Sequence, residues 1–428
     1  MGRLACARNC AYRAPMSDNP GFPARRAALK MLDAVLRRGE TLEQAGGAAN
    51  GLPHVADRAL AHAIAGEVLR WLVDLDRLID GATRQPLPPD AKPRAVLRLM
   101  LAQWLRLGTP PHAVIATALP LLDGGPRRLA HGVFSTLTKR GAALPEAPTL
   151  PSEVAARWNE RARPIAAALG EPPPLDLTLR DGGTTADWAR RLGGVSLAPG
   201  HVRLPRGARV EELPGFAEGA WWVQDIAAAI PARLLGPGEA EGRQRSVLDL
   251  AAAPGGKTLQ LAAAGWDVTA LDVSARRMER LSANLARTGL SAEMLVEDAL
   301  AWEPDRHYDA ILLDAPCTAT GTCRRHPDVL HRIGPRQIEQ MADIQRRLLE
   351  RASGWLLPGG RLVYAVCSLE RAEGEAVAAT ATLRPDPVGP GELPAGLAPT
   401  PAGHLRTDPG MLAEAGGMDG FFAARWMR

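Results

Sequence analysis

The chain has 428 residues, 46% of them hydrophobic and 23% charged, with a formal net charge of +4. That length suits two or three domains, and the composition excludes wholesale disorder and fibrous low-complexity structure. The longest uncharged apolar stretches, such as 113–122, are broken by proline and fall short of the roughly 18 residues a membrane span needs, so no membrane segment is expected.

The first nineteen residues carry Arg3, Arg8 and Arg13 without an apolar centre. They read as a disordered leader, 1–19, in place of a secretory signal, with Met16 as a candidate start. Residues 20–141 hold 17 Lys/Arg against 10 Asp/Glu, a net of +7, whereas the rest of the chain beyond 141 is net −5. Apolar residues recur there at helical spacing. Ala28, Leu32, Val35 and Leu36 mark one helix, and Leu60, Ile64, Val68, Leu69, Leu72 and Leu75 mark another. Further helices are expected over 93–107, 112–122 and 126–138, giving an all-α domain at 20–141. The proline-punctuated segment 141–151 marks a domain boundary. A small α/β subdomain follows at 152–244, with a helix near 153–169 and a strand at 175–179.

From 245 to 428 the rhythm becomes strand, loop, helix, which predicts an α/β domain with a largely parallel sheet. Strands are expected at 246–250, 268–273, 293–296, 308–314 and 361–367. The first runs into Ala251, Ala252, Ala253, Pro254, Gly255, Gly256, Lys257 and Thr258, a loop at the carboxyl end of a strand, where open sheets bind ligands. Later strands end at Asp272, near Asp298 and at Asp314. Four strand ends with four acids, Asp249 included, describe a nucleoside pocket, with Asp272 placed for ribose hydroxyls. A P-loop NTPase is the rival, since Ala251 to Thr258 resembles a Walker A loop. It leaves Asp249 and Asp272 without work, and Pro254 removes an amide that would cradle phosphate.

Five cysteines without a regular framework point to a reducing compartment, the cytoplasm. Cys317 and Cys367 each follow a strand end, which sets two thiols over the edge of the sheet that carries the glycine loop. A zinc site from Cys317, Cys323, His326 and His331 is the competing use, but the Cys-x5-Cys spacing departs from structural zinc sites, and no metal is expected.

These motifs resemble one family: the S-adenosylmethionine-dependent RNA cytosine-C5 methyltransferases, and within them the bacterial RsmB (Sun/Fmu) small-subunit ribosomal RNA enzymes. The resemblance runs through Trp222-Val-Gln-Asp225, the loop from Asp249 to Thr258, Asp314-Ala-Pro-Cys-Thr-Ala-Thr-Gly321, Arg324-Arg-His-Pro-Asp328, Cys367-Ser368 and Met418-Asp-Gly-Phe-Phe422. It implies a Rossmann-like class I methyltransferase domain preceded by a NusB-like RNA-binding domain. It also implies a monomer that binds S-adenosylmethionine through Ala251 to Lys257, Asp272, Asp298 and Asp314. By the same resemblance Cys367 is the nucleophile and Cys317 assists product release, Asp314 contacts the cytosine edge, and Lys257 helps hold the thiolate. Arg324 and Arg325 are expected on RNA phosphates. Small-subunit ribosomal RNA is the implied substrate, with transfer RNA as the alternative. Val366 and Gly374 depart from the family's usual threonine and asparagine, and Cys323 is an extra thiol expected to be structural.

Overall fold

The computed structural model describes residues 20–240 and 242–428. The leader at 1–19, with Cys6, Cys10 and Met16, lies outside the described residues. The chain forms two compact units that meet in sequence at Pro145 and Glu146.

The first unit is helical: α1 Phe22–Arg38, α2 Val55–Arg70, α3 Leu72–Asp80, α4 Lys92–Leu105, α5 Pro111–Ala118 and α6 Gly124–Lys139. Their apolar faces converge on a core that includes Leu32, Val35, Ile64, Val68, Leu97 and Phe134. The single helix expected through Leu60 and Leu75 is in fact two, because Trp71 leaves helical geometry at φ −107, ψ 16. The apolar spacing continues across the break since both helices bury toward the same core, so periodicity alone could not reveal it. Part of the unit's positive charge is spent internally. Arg98 and Arg94 are buried and pair with Asp76 at 2.7 and 3.0 Å. Arg127, Arg128, Lys139 and Arg140 remain exposed on and just after α6.

The second unit begins with Ser152–Trp158 and Ala162–Ala168 where one helix was expected. A continuous helix would put Pro164 in its interior, where its missing N–H and its ring break the ladder; the observed break at Asn159 leaves Pro164 in a first turn. A three-stranded antiparallel sheet follows, β1 Leu175–Leu179, β2 His201–Leu204 and β3 Trp221–Val223, in the order β2-β1-β3. Helix α7, Ile226–Arg233, leads into the large sheet.

The large sheet contains β4 Ser246–Leu250, β5 Asp267–Asp272, β6 Glu293–Val296, β7 Tyr308–Asp314, β8 Leu356–Val366 and β9 Phe422–Met427. Their order is β6-β5-β4-β7-β8-β9, with two short strands added against β9. Among these six, neighbouring pairs are parallel except β8 with β9, and the two short strands also run antiparallel to β9. β4 and β7 read as near-continuous apolar runs because both faces of the sheet are covered. One apolar core, with Leu248, Ile311, Leu313 and Tyr364, lies on one face; Val247, Ala310, Leu312 and Val363 belong to the other. The chain leaves β4 in one direction for β5 and returns to its other side with β7, so the carboxyl ends of these two strands flank a topological switch point. Helices α8 Gly256–Ala263, α9 Ala275–Thr288 and α10 Pro335–Gly354 connect the strands.

Candidate active site

The loop after β4 is stitched to the end of β5. Ala252 N–H donates to the Leu271 carbonyl at 3.1 Å, and Ala253 N–H donates to Asp272 Oδ2, also at 3.1 Å. Ser274 N–H donates to the other Asp272 oxygen at 2.9 Å, so this 1% exposed carboxylate is fixed by backbone amides. Gly255 opens α8 at φ +108, and a Cβ there would stand 2.3 Å from Leu281 Cδ1, which is why the loop needs glycine. Asp298 lies two residues beyond β6, exposed, and closes its own turn by accepting from Leu300 N–H at 2.9 Å.

Lys257 crosses from the start of α8 to the end of β7, where Nζ meets Asp314 Oδ2 at 2.7 Å and lies 5.1 Å from the Phe421 ring centroid. Burial disfavours its charge, but Asp314, Cys367 and Asp249 outweigh that cost and raise its pKa above the ordinary lysine value. An ammonium committed in this way to a neighbouring strand is not the free phosphate-reaching lysine of a P-loop. Asp249, fully buried on β4, accepts from Thr258 Oγ1 at 2.6 Å through one oxygen; its other oxygen has no partner among the described residues. Burial lifts this carboxyl to about 7, with Thr258 opposing and the charges of Asp314 and Asp272 adding to the rise.

The two thiols meet. Cys317 Sγ and Cys367 Sγ are 3.4 Å apart, within hydrogen-bond distance for sulfur, and both residues are partly accessible. β7 and β8 are parallel neighbours with Asp314 opposite Ala365, so residues just past each strand end fall over one edge. The sulfur–sulfur hydrogen bond first, and then burial, push the Cys317 thiol well above the ordinary cysteine value, with the charge of Glu373 adding to the effect. The shift holds Cys317 in its thiol form, within reach of the Cys367 sulfur. The floor under the pair is backbone against backbone: Gly321 N–H donates to the Cys367 carbonyl at 3.0 Å, and Gly420 N–H donates to the Gly321 carbonyl at 2.9 Å. A Cβ on Gly321 would stand 2.0 Å from the Gly420 carbonyl oxygen, which accounts for glycine at this close approach.

Arg324 corrects an expectation. Its side chain is 2% exposed, with NH1 donating to the Gly416 carbonyl at 2.7 Å and NH2 at 3.4 Å from Asp225 and 3.6 Å from Asp419. A guanidinium so enclosed holds the closing segment to α7 and is not presented to a phosphate. Arg325 pairs with Asp419 and keeps 35% of its side chain accessible. Burial raises the Asp419 carboxyl to about 7, with Arg325 and Arg324 opposing. The Trp222-Val-Gln-Asp225 motif buttresses this region: Gln224 Nε2 donates to Gln260 of α8 at 2.7 Å, and Asp225 caps α7 at Ala227 N–H, 2.9 Å away.

Cys323 is fully buried in a core with Val154, Trp158 and Leu330. Among the described residues, Cys317, Cys323, His326 and His331 do not gather into a metal-binding group. At Gly374, a Cβ would stand 2.3 Å from the Arg406 guanidinium and 2.9 Å from the Phe422 ring. The space of the usual asparagine is thus taken by Arg406, whose NH1 donates to the Ser368 carbonyl at 2.6 Å. Val366 is fully buried in the sheet core, where a methyl in place of a hydroxyl leaves no polar group to satisfy.

The sequence reading missed Glu373. Its carboxylate is fully buried and accepts from Thr318 N–H at 2.9 Å, Gln345 Nε2 at 3.0 Å, Ser368 Oγ at 2.5 Å and Thr318 Oγ1. The signal available was weak, since Glu373 is one of three acids, with Glu370 and Glu375, in the eight residues after a strand-end cysteine.

A profile of the 16S rRNA methyltransferase RsmB/F family matches residues 233–427, and one of the NusB family matches 23–124. A ribosomal RNA small subunit methyltransferase B of Xylella fastidiosa is 34% identical, over 96% of this chain and 99% of the relative. Its counterpart from Klebsiella pneumoniae is 33% identical over 94% and 98%. The crystal structure of PH0851 overlays with a TM-score of 0.70 at 22% identity, covering 95% of this chain and 99% of that one, a likeness of fold.

Proposed function

The chain belongs to the 16S rRNA methyltransferase RsmB/F family, and on that premise we propose that it methylates carbon 5 of a cytosine in small-subunit ribosomal RNA through a covalent cysteine adduct. The observation that carries the mechanism is the 3.4 Å contact of two thiols at adjacent parallel strand ends, beside the Lys257–Asp314 pair.

S-adenosylmethionine, the family's cofactor, supplies an electrophilic methyl group when bound. The residues fit it: the glycine loop lets backbone approach, the unpartnered oxygen of Asp249 and the acids at the strand ends suit a cationic ligand, and the loop flanks the switch point. Ala251 to Lys257, Asp272, Asp298 and Asp314 would hold it. Carbon 5 of cytosine is a poor nucleophile, so Cys367 adds first to carbon 6, forming a carbon–sulfur bond and an enamine. Lys257 supplies positive charge beside that thiolate, and the second oxygen of Asp314, whose side chain is 29% exposed, faces the cytosine edge. After carbon 5 is alkylated, a base takes its proton, the C5–C6 double bond re-forms and the carbon–sulfur bond breaks to release the Cys367 thiolate, with Cys317 assisting release.

The base must leave its stack before a thiol reaches it, so an accessible RNA loop is the expected target. We read 20–141 as the RNA-binding helical domain, 152–244 as a linking subdomain and 245–428 as the catalytic domain, with Arg325 and the exposed basic residues of α6 on phosphates. The same reading takes a monomer working in the cytoplasm and assigns no step to a metal. Bisulfite sequencing of total RNA from a deletion strain and its parent is the test. One small-subunit rRNA cytosine should lose protection in the deletion; an unchanged ribosomal profile refutes the substrate assignment.

A further inference from the structure

Each of the two cysteines is followed by a hydroxyl residue, Thr318 after Cys317 and Ser368 after Cys367, and both hydroxyls end on the same oxygen, Glu373 Oε2. The other oxygen, Oε1, accepts from Thr318 N–H at 2.9 Å and from Gln345 Nε2 at 3.0 Å. Gln345, fully buried on α10, also donates to the Pro316 carbonyl at 2.8 Å, one residue before Cys317. A third hydroxyl completes the knot: Thr320 Oγ1 lies 3.2 Å from Ser368 Oγ and accepts from Leu369 N–H at 3.0 Å. One buried carboxylate thus joins the loop carrying Cys317 to the loop carrying Cys367.

We propose that Glu373 is a positioning residue for the methyl transfer, acting through Thr318 and Ser368 to fix the two thiols against each other. This rests on the reading of Cys367 and Cys317 as the working pair. The argument is one of cost. A buried carboxylate with four donors is stable only while all four are in place, so displacing either loop leaves charge unpaired in a dry site. Loop motion that separates the sulfurs is penalised accordingly. The four hydrogen bonds supply a directional tie that an apolar contact between the loops would lack, and the Glu373 charge adds to the effects that hold Cys317 as a thiol.

The test uses the whole protein and two independent readouts. The first is iodoacetamide labelling of each cysteine at pH 8, mapped by peptide mass spectrometry without cofactor or RNA. The second is steady-state methylation of small-subunit ribosomal RNA. Glu373→Ala should label Cys317 at least tenfold faster than the wild type, because that sulfur loses both its ordered partner and the adjacent charge. Its kcat should fall at least twentyfold, with KM for S-adenosylmethionine within a factor of two. Glu373→Gln can keep its carbonyl on Thr318 N–H and Gln345 and turn its amide to hydroxyls rotated to accept; it should restore kcat to within about fivefold of the wild type. Cys323, fully buried, must stay unlabelled in every variant, which certifies the fold. Should Glu373→Ala fail to fold, Thr318→Val decides, with labelling of Cys317 at least threefold faster and kcat at least fivefold lower. Wild-type labelling and kcat in the folded variants, or a Gln variant as impaired as Ala, overturns the proposal. A wild type that does not methylate while the labelling pattern holds would instead count against the proposed reaction and leave the positioning role standing.

Discussion

Asp249→Asn tests a fully buried acid of the candidate cofactor pocket that a single hydroxyl supports. In the folded chain its carboxyl titrates at about 7, against 3.8 for an ordinary aspartate, because burial opposes the charge and a single hydroxyl supports it. The raised value means that the folded state holds a proton the unfolded state has released. The associated stability is therefore complete below pH 3.8 and drains away as pH rises toward 7. Between pH 5 and pH 8 the loss comes to roughly 2 to 3 kcal/mol at 1.36 kcal/mol per pKa unit. Asparagine keeps the size and the Thr258 contact but does not titrate. It leaves one buried amide poorly satisfied, a cost that is constant with pH. The variant should thus gain on the wild type by about that amount from pH 5 to pH 8, read by urea unfolding of both proteins in parallel. Asp419, also raised to about 7, is common to both proteins and cancels from the difference. A difference between the two proteins that stays flat with pH would refute the buried, singly supported carboxyl.

The thiols predict an asymmetry. Cys367→Ala should neither methylate RNA nor form an adduct, whereas Cys317→Ala should methylate and then remain crosslinked to labelled RNA on a denaturing gel; the trapped band appearing with Cys367→Ala instead would reverse the roles. Lys257→Met removes the ammonium that Asp314 and Cys367 share, and methylation at pH 7 should fall by about a hundredfold while calorimetry shows no gain of Mg-ATP binding. Arg324→Ala should cost roughly 3 to 5 kcal/mol by stranding the buried Asp225 and Asp419. It should leave the salt dependence of rRNA binding untouched, whereas Arg127→Ala and Arg128→Ala should each lower that slope by about 1 with stability unchanged.

Much of the catalytic half is legible in the sequence because a parallel sheet buried on both faces leaves little choice: its strands read as apolar runs, and the acids and glycines at their ends stand out. β4, β6 and β7 fall on the residues expected of them. β2, β3 and β9 were not anticipated. They are short, or antiparallel and at or near a sheet edge, where alternation with residues such as Arg203 and Arg425 blurs the apolar signal. Arg324 and Arg325 illustrate a different limit. Adjacent arginines look equivalent in sequence, yet one is enclosed by Asp225, Asp419 and the Gly416 carbonyl while the other keeps part of its side chain at the surface. Burial of a charge depends on partners more than ninety residues away, and no local pattern encodes them.

The departure at position 374 shows how such a site tolerates change. A glycine where the resemblance leads one to expect an asparagine suggests a lost amide, and on sequence grounds an altered positioning of the substrate. The structure fills the gap from elsewhere: the Arg406 guanidinium occupies the space beside Gly374, donates to the Ser368 carbonyl at 2.6 Å and pairs with Glu375 at 2.5 Å. Arg406 comes from a short strand that pairs with β9, so its position depends on the antiparallel edge of the sheet. Restoring the asparagine alone would therefore clash with Arg406 and Phe422, and the segment after Cys367 would have to move. The two positions behave as one unit, so the loop that carries Cys367 is held by a different residue from a different strand while the two sulfurs keep their 3.4 Å contact.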